Sequence, residues 1–103
     1  MKVYTFLTDG FETVEALAVI DILRRAGIEV ETVSITGNEQ VCSAQNITVK
    51  ADTLFKAQPV CKEDVLFLPG GPGHKQYNEC KPLLKLLEKH HAEGGRIAAI
   101  CAA

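Results

Sequence analysis

Three features of the sequence predict an α/β fold built on a doubly wound, mostly parallel sheet, a flavodoxin-like sandwich. A strand, a helix and a second strand follow one another across residues 3–35, and a βαβ unit takes about 30 residues or more. Two further apolar runs, Val65-Leu66-Phe67-Leu68 and Arg96-Ile97-Ala98-Ala99-Ile100, read as later strands of the same sheet, the second short and buried. Turn-forming residues follow the strands, among them Asp9-Gly10 and Pro69-Gly70-Gly71-Pro72-Gly73. That is the edge where open α/β sheets carry their chemistry.

In chain order, residues 3–8 are β-rich and nearly continuously apolar, as in a strand covered on both faces. Asp9, followed by Glu12, fits a variant of the capping box. The helix runs over residues 12–26, with Gly27 closing it and Arg24 and Arg25 in its last turn. Between Val14 and Leu23 only Glu15 and Asp21 interrupt the apolar side chains. A surface helix shows one apolar stripe, so this one needs cover on two sides, its own sheet and a partner subunit. Residues 28–35 form the second strand, parallel to the first through a right-handed crossover. Residues 41–43 and 47–50 are two short strands of a hairpin excursion, and residues 53–58 are one or two helical turns ended by Pro59. Pro82 opens a helix reaching about Glu93, with leucines on one side and His90 and His91 at its C-terminal end. Lys81, Lys85 and Lys89 recur every fourth residue and make its solvated face.

The chain has 103 residues, one domain at most, and 47% hydrophobic residues, which excludes disorder. A net charge of −2 with scattered basic residues argues against a nucleic-acid surface. No apolar run approaches the ~18 residues of a membrane span, and Met1-Lys2-Val3-Tyr4 enters a strand without a signal-peptide pattern. The expected location is cytoplasmic. The four cysteines, Cys42, Cys61, Cys80 and Cys101, form no C-x-x-C pair or zinc-site spacing. They are expected as thiols, with no metal, and Cys42 as structural.

Three places carry candidate chemistry, each with a plain alternative. Cys101 ends the last strand run behind small residues, where a sharp turn would present its sulfur at a helix N-terminus and favour the thiolate; taken alone, the segment reads first as holding a buried structural cysteine. Glu15 shares a helical face with Ala18, Val19 and Ile22, and lost hydration there favours its neutral form. As a first-turn glutamate it would instead be held ionised by the helix dipole. The glycines after residue 68 allow close approach of backbone to a ligand, with N–H groups able to hold an oxyanion, or they make a tight turn. The Walker lysine and the G-x-G-x-x-G spacing are both missing.

Together these features resemble the ThiJ/PfpI superfamily, and within it the branch of the parkinsonism-associated protein deglycase. The matching motifs are Asp9-Gly10-Phe11-Glu12-Thr13-Val14-Glu15-Ala16, Asp21-Ile22-Leu23-Arg24-Arg25-Ala26-Gly27-Ile28, Leu68-Pro69-Gly70-Gly71 and Ala98-Ala99-Ile100-Cys101-Ala102-Ala103. The resemblance implies that Cys101 is an oxidisable nucleophile and Glu15 its protonated carboxylic partner. It further implies an oxyanion site formed by the N–H groups of Gly71 and Ala102. The implied activity is that of a cysteine-dependent deglycase or glyoxalase (a hydrolase or lyase linked to oxidative stress), acting on methylglyoxal or on glycated thiols and amines. No cofactor is implied, and the assembly is a homodimer through the first helix. Ala102 stands where the protease-like branch has histidine, which argues against peptidase activity. The family's histidine partner falls beyond Ala103, so residues 1–103 correspond to the N-terminal part of the domain. Alone they are expected to be inactive and to expose the last strand to pairing or aggregation.

Two other functions compete. A redox sensor or chaperone would use oxidation of Cys101 without turnover. A class I glutamine amidotransferase relative would need glycines in G-x-C-x-G, where this chain has Ala99 and Ala103.

Overall fold

The computed structural model describes residues 1–56 and 58–100. β1 (Lys2–Leu7), α1 (Thr13–Arg25) and β2 (Glu29–Ser34) form the expected βαβ unit. β1 and β2 pair in parallel from Lys2↔Glu29 to Leu7↔Ser34. A hairpin follows, β3 (Gln40–Cys42) antiparallel to β4 (Thr48–Lys50), turning at Asn46 with φ 64°. Then come β5 (Thr53–Leu54), β6 (Val65–Leu68), a 3₁₀ turn (Pro72–His74), α2 (Lys75–Glu79), α3 (Lys81–Ala92) and β7 (Arg96–Ala99). The main sheet has five parallel strands in the order β5-β2-β1-β6-β7.

Strand alternation sorts the core onto the two faces. Val3, Val30 and Phe67 pack with Ile20 of α1, flanked by Leu17, Val19 and Leu23. Tyr4, Phe6, Val33, Leu66 and Leu68 pack on the opposite side with Tyr77 and Leu83, flanked by Leu86 and Leu87. Helices therefore cover both faces, the doubly wound α/β arrangement expected. A third cluster, Leu7, Phe11, Ala16, Val41 and Ala51, fastens the hairpin to the start of α1.

Several elements differ from the expectation. Residues 53–56 and 58 are not helical: Thr53 pairs with Val33 and Leu54 with Ser34, so the edge of β2 captures these two residues as β5. The run 96–100 is not a buried strand. Residues 96–99 form β7, which pairs with β6 on one side, and all four of its residues are exposed. Asp9 does not cap α1. Gly10 turns at φ 88°, Glu12 is the N-cap and accepts weakly from the Val14 N–H at 3.4 Å, and Asp9 Oδ1 accepts from the Cys42 N–H at 3.0 Å. Of the two histidines expected to serve the end of α3, His90 is buried and donates from Nε2 to the Asp64 carbonyl at 2.9 Å.

Candidate functional site

The site begins where two loops close on each other at the carboxyl edge of the sheet. One joins β1 to α1 and the other follows β6. The Glu12 N–H donates to the Gly70 carbonyl at 2.9 Å, and the Gly73 N–H to the Gly10 carbonyl at 3.1 Å. Glycine is required at the crossing. A Cβ on Gly71 would lie 2.6 Å from the Gly10 oxygen and 2.7 Å from the Glu12 nitrogen, and Gly71 itself has φ 120°. A Cβ on Gly73 would overlap the Asp9 carbonyl oxygen. The glycine-rich segment is thus a seam of backbone against backbone, which a plain tight turn does not require. No hydrogen bond from the Gly71 N–H is found among the described residues.

Tyr77 braces the seam from below. Its hydroxyl reaches the carbonyls of Phe6 at 2.9 Å and Pro69 at 3.2 Å, tying the last turn of β1 to the first residue after β6. Burial raises its pKa well above the ordinary 10.0, so it remains a donor. Beside it, the Thr8 hydroxyl donates to Gln76 Oε1 of α2.

The hairpin holds the start of α1. The Gly10 N–H donates to the Cys42 carbonyl at 2.8 Å, and the Ala44 N–H to the Phe11 carbonyl at 2.8 Å. Gln45 Oε1 accepts from the Thr13 N–H at 3.1 Å, while Gln45 Nε2 donates to Glu12 Oε2 at 3.0 Å. The Thr13 hydroxyl also lies 2.6 Å from Ser43 Oγ. Side chains of the hairpin thereby satisfy part of the helix N-terminus, which otherwise leaves donors without partners.

Glu15 projects from the first turn of this held helix. Its Oε1 is buried and has no hydrogen-bond partner among the described residues. A buried carboxyl oxygen without a partner is costly and marks a place where a donor or acceptor is expected. Its helical neighbours Ala18 and Ile22 are exposed and Val19 is half-buried, so the atom's burial does not come from a fully buried face.

Of the sequence-predicted residues, Glu15 and Gly71 are described, and the seam connects the segments that carry them. Cys101 and Ala102 lie outside the described residues. The described chain comes within one residue of Cys101: the Ile100 N–H donates to the Leu68 carbonyl at 3.2 Å, directly before Pro69. Cys42, Cys61 and Cys80 are free thiols, with Cys42 Sγ 3.5 Å from Asn46 Oδ1. Among the described residues no group of three or more His, Cys, Asp or Glu side chains is placed to hold a metal ion. Sequence reasoning missed Tyr77, Gln45 and Ser43. Of these three only Tyr77 carried a signal that could have found it, a large aromatic within an otherwise polar stretch.

A flavodoxin-like α/β domain with a glycine seam after a central strand, opposite a glutamate on the first helix, is the class this arrangement defines. The chain belongs to the DJ-1/PfpI family, whose model matches residues 1–103. It is 38% identical over 98 residues to Protein dj-1beta of Drosophila melanogaster, across 94% of this chain and 52% of that protein. It is 32% identical over 91 residues to the Caenorhabditis elegans protein named glutathione-independent glyoxalase DJR-1.2, across 88% of this chain and 48% of that one. The crystal structure of Drosophila melanogaster DJ-1beta matches with a TM-score of 0.91 at 34% identity, over 99% of this chain and 55% of that chain. A structure of oxidized Toxoplasma gondii DJ-1 matches with a TM-score of 0.89 at 37% identity, over 97% and 55%. Against the curated relatives it matches first, the chain spans between 24% and 54% of their length.

Proposed function

We propose that the protein carrying this chain is a cysteine-dependent glyoxalase or deglycase acting on a small electrophilic carbonyl such as methylglyoxal, or on the adducts it leaves on thiols and amines. The observation that carries this reading is the buried Glu15 Oε1, without a hydrogen-bond partner among the described residues, on a helix fastened to the Gly70–Gly71 seam. The Cys101 thiolate adds to the aldehyde carbon, forming a C–S bond while the carbonyl π pair moves to oxygen. The Gly71 and Ala102 N–H groups hold that oxyanion. Glu15, in its acid form, donates first to the thiolate, which a carboxylate would repel, and then protonates the alkoxide to give a hemithioacetal. The glyoxalase name of the Caenorhabditis elegans relative supports the substrate class.

The test is methylglyoxal consumption by the intact protein and by its Cys101→Ser and Glu15→Gln variants. Both substitutions should remove turnover, Glu15→Gln by about 10²-fold or more for a lost proton donor. A Cys101→Ser protein that consumes methylglyoxal at the unsubstituted rate would refute the reading.

The oxidized Toxoplasma gondii relative favours keeping a second reading, in which Cys101 is a redox sensor. In that case peroxide titrates the thiol once and methylglyoxal is not consumed. We further infer a homodimer through α1, because Val14 and Ile22 are 69% and 64% exposed on an apolar helix. Ile22→Glu should halve the mass measured by light scattering, and an unchanged mass would exclude α1 from the interface. The cytoplasm is the proposed location; among the described residues no helix is long and apolar enough to cross a membrane.

A further inference from the structure

A second depression, of about 370 Å³, lies between α3 and the segment after β5, and shares no lining residue with Glu15 or the glycine seam. Its apolar lining is Phe55, Pro82 and Leu86, and Lys56, Lys85 and Lys89 also line it. Among the described residues no carboxylate lines it.

Two features separate this place from an ordinary solvated helix face. Its apolar wall packs on the core. Phe55 packs against the core ring of Phe6 with centroids 6.0 Å apart, and Leu86 rests on the same cluster. Buried Gln58 ties the facing segment by donating to the Leu54 carbonyl at 3.0 Å and accepting from the Lys56 N–H at 3.1 Å. Its charge is also uncompensated. Among the described residues the ion pairs use Lys2, Arg24 and Arg25, and none involves Lys56, Lys85 or Lys89. Three unpaired cations around an apolar depression, in a chain of net charge −2, complement one kind of ligand, an acidic headgroup on a short apolar body. The volume lies within the ~300–1,000 Å³ range of small-molecule sites.

We propose that this depression binds a small amphipathic carboxylate, its apolar body against Phe55, Pro82 and Leu86 and its headgroup among Lys56, Lys85 and Lys89. Acidic and apolar features are both needed, because exposed lysines alone hold an anion weakly in water.

The probe is decanoate, titrated into the isotopically labelled intact protein while amide shifts are followed by NMR, with decanol as the uncharged control. Decanoate should shift Phe55, Gln58 and Leu86 saturably, and decanol should bind about tenfold more weakly or worse. Lys85→Glu with Lys89→Glu should abolish decanoate binding, whereas Lys85→Arg with Lys89→Arg should preserve it. Should the charge-reversed protein fail to fold, the salt dependence of the unsubstituted protein decides. Decanoate affinity falls as salt rises and decanol affinity does not. Equal affinity for decanol, no loss on charge reversal or no shifts at the lining residues would overturn the proposal.

Discussion

The glycine seam and the outer strand β7 both lie next to β6, yet they are held in opposite ways. At the seam, carbonyl and amide groups of two loops meet with no room for a Cβ, and a buried tyrosine braces them from beneath. β7 pairs on one side, all four of its residues are exposed, and it rests on the rest of the chain mainly through β6 and α3. The difference teaches where local geometry is over-determined. Among the described residues, the half of the site that carries Gly71 and Glu15 is fixed by interlocking backbone contacts, and the strand leading to Cys101 is held by its ladder to β6 and its contacts with α3.

The sharpest way to break this contrast is Gly73→Ala, which sets a methyl group against the Asp9 carbonyl. It should cost about 4 kcal/mol, the upper range for single substitutions, because backbone rather than a flexible side chain must move. A loss under about 1 kcal/mol in urea unfolding would show the seam to be soft. Next in size is Leu66→Ala, at a fully buried position in β6, expected to cost about 3 kcal/mol.

Tyr77→Phe should cost about 1 kcal/mol by leaving the Phe6 and Pro69 carbonyls short of a donor. The same residue shapes the alkaline limb of stability. Its phenol is held above the ordinary 10.0 by burial, so its contribution is complete below about pH 10 and is lost as pH rises beyond that, where only the unfolded tyrosine ionises. Lys2 works in the same direction: its hydrogen bond to Glu31 raises its pKa, and that contribution also fades above the ordinary 10.5. Stability should therefore fall above about pH 10, less steeply in Tyr77→Phe. Equal slopes in the two proteins would contradict the assignment. Smallest of all, Ile97→Ala on β7, 38% exposed, should change stability by about 0.5 kcal/mol or less.

Much of this was legible in the sequence because strand periodicity and helix-ending glycines are local signals. β1, α1, β2 and the hairpin could be read off residues 3–50, and Gly71 stood out within a run of glycine and proline. What could not be read depends on distant partners. Whether Thr53 and Leu54 coil or pair is decided by the open edge of β2, and whether Asp9 caps α1 by an amide on the hairpin. His90 looked like a helix-end residue, but its ring is buried beneath Gly95, where a Cβ would collide with it. Glu15 was singled out for an apolar face it only partly has, since Ala18 and Ile22 face outward; its buried oxygen is a tertiary fact.

The central claim, that the fixed half of this site serves an activated Cys101, is tested most directly by brief, substoichiometric alkylation with iodoacetamide at about pH 6, where ordinary thiols of pKa ~8.5 react slowly. The intact protein is labelled, digested and mapped, beside its Glu15→Ala variant. Selective label on Cys101, lost in the variant, is the predicted result. Label spread evenly over Cys42, Cys61, Cys80 and Cys101 in the unoxidised protein would contradict it.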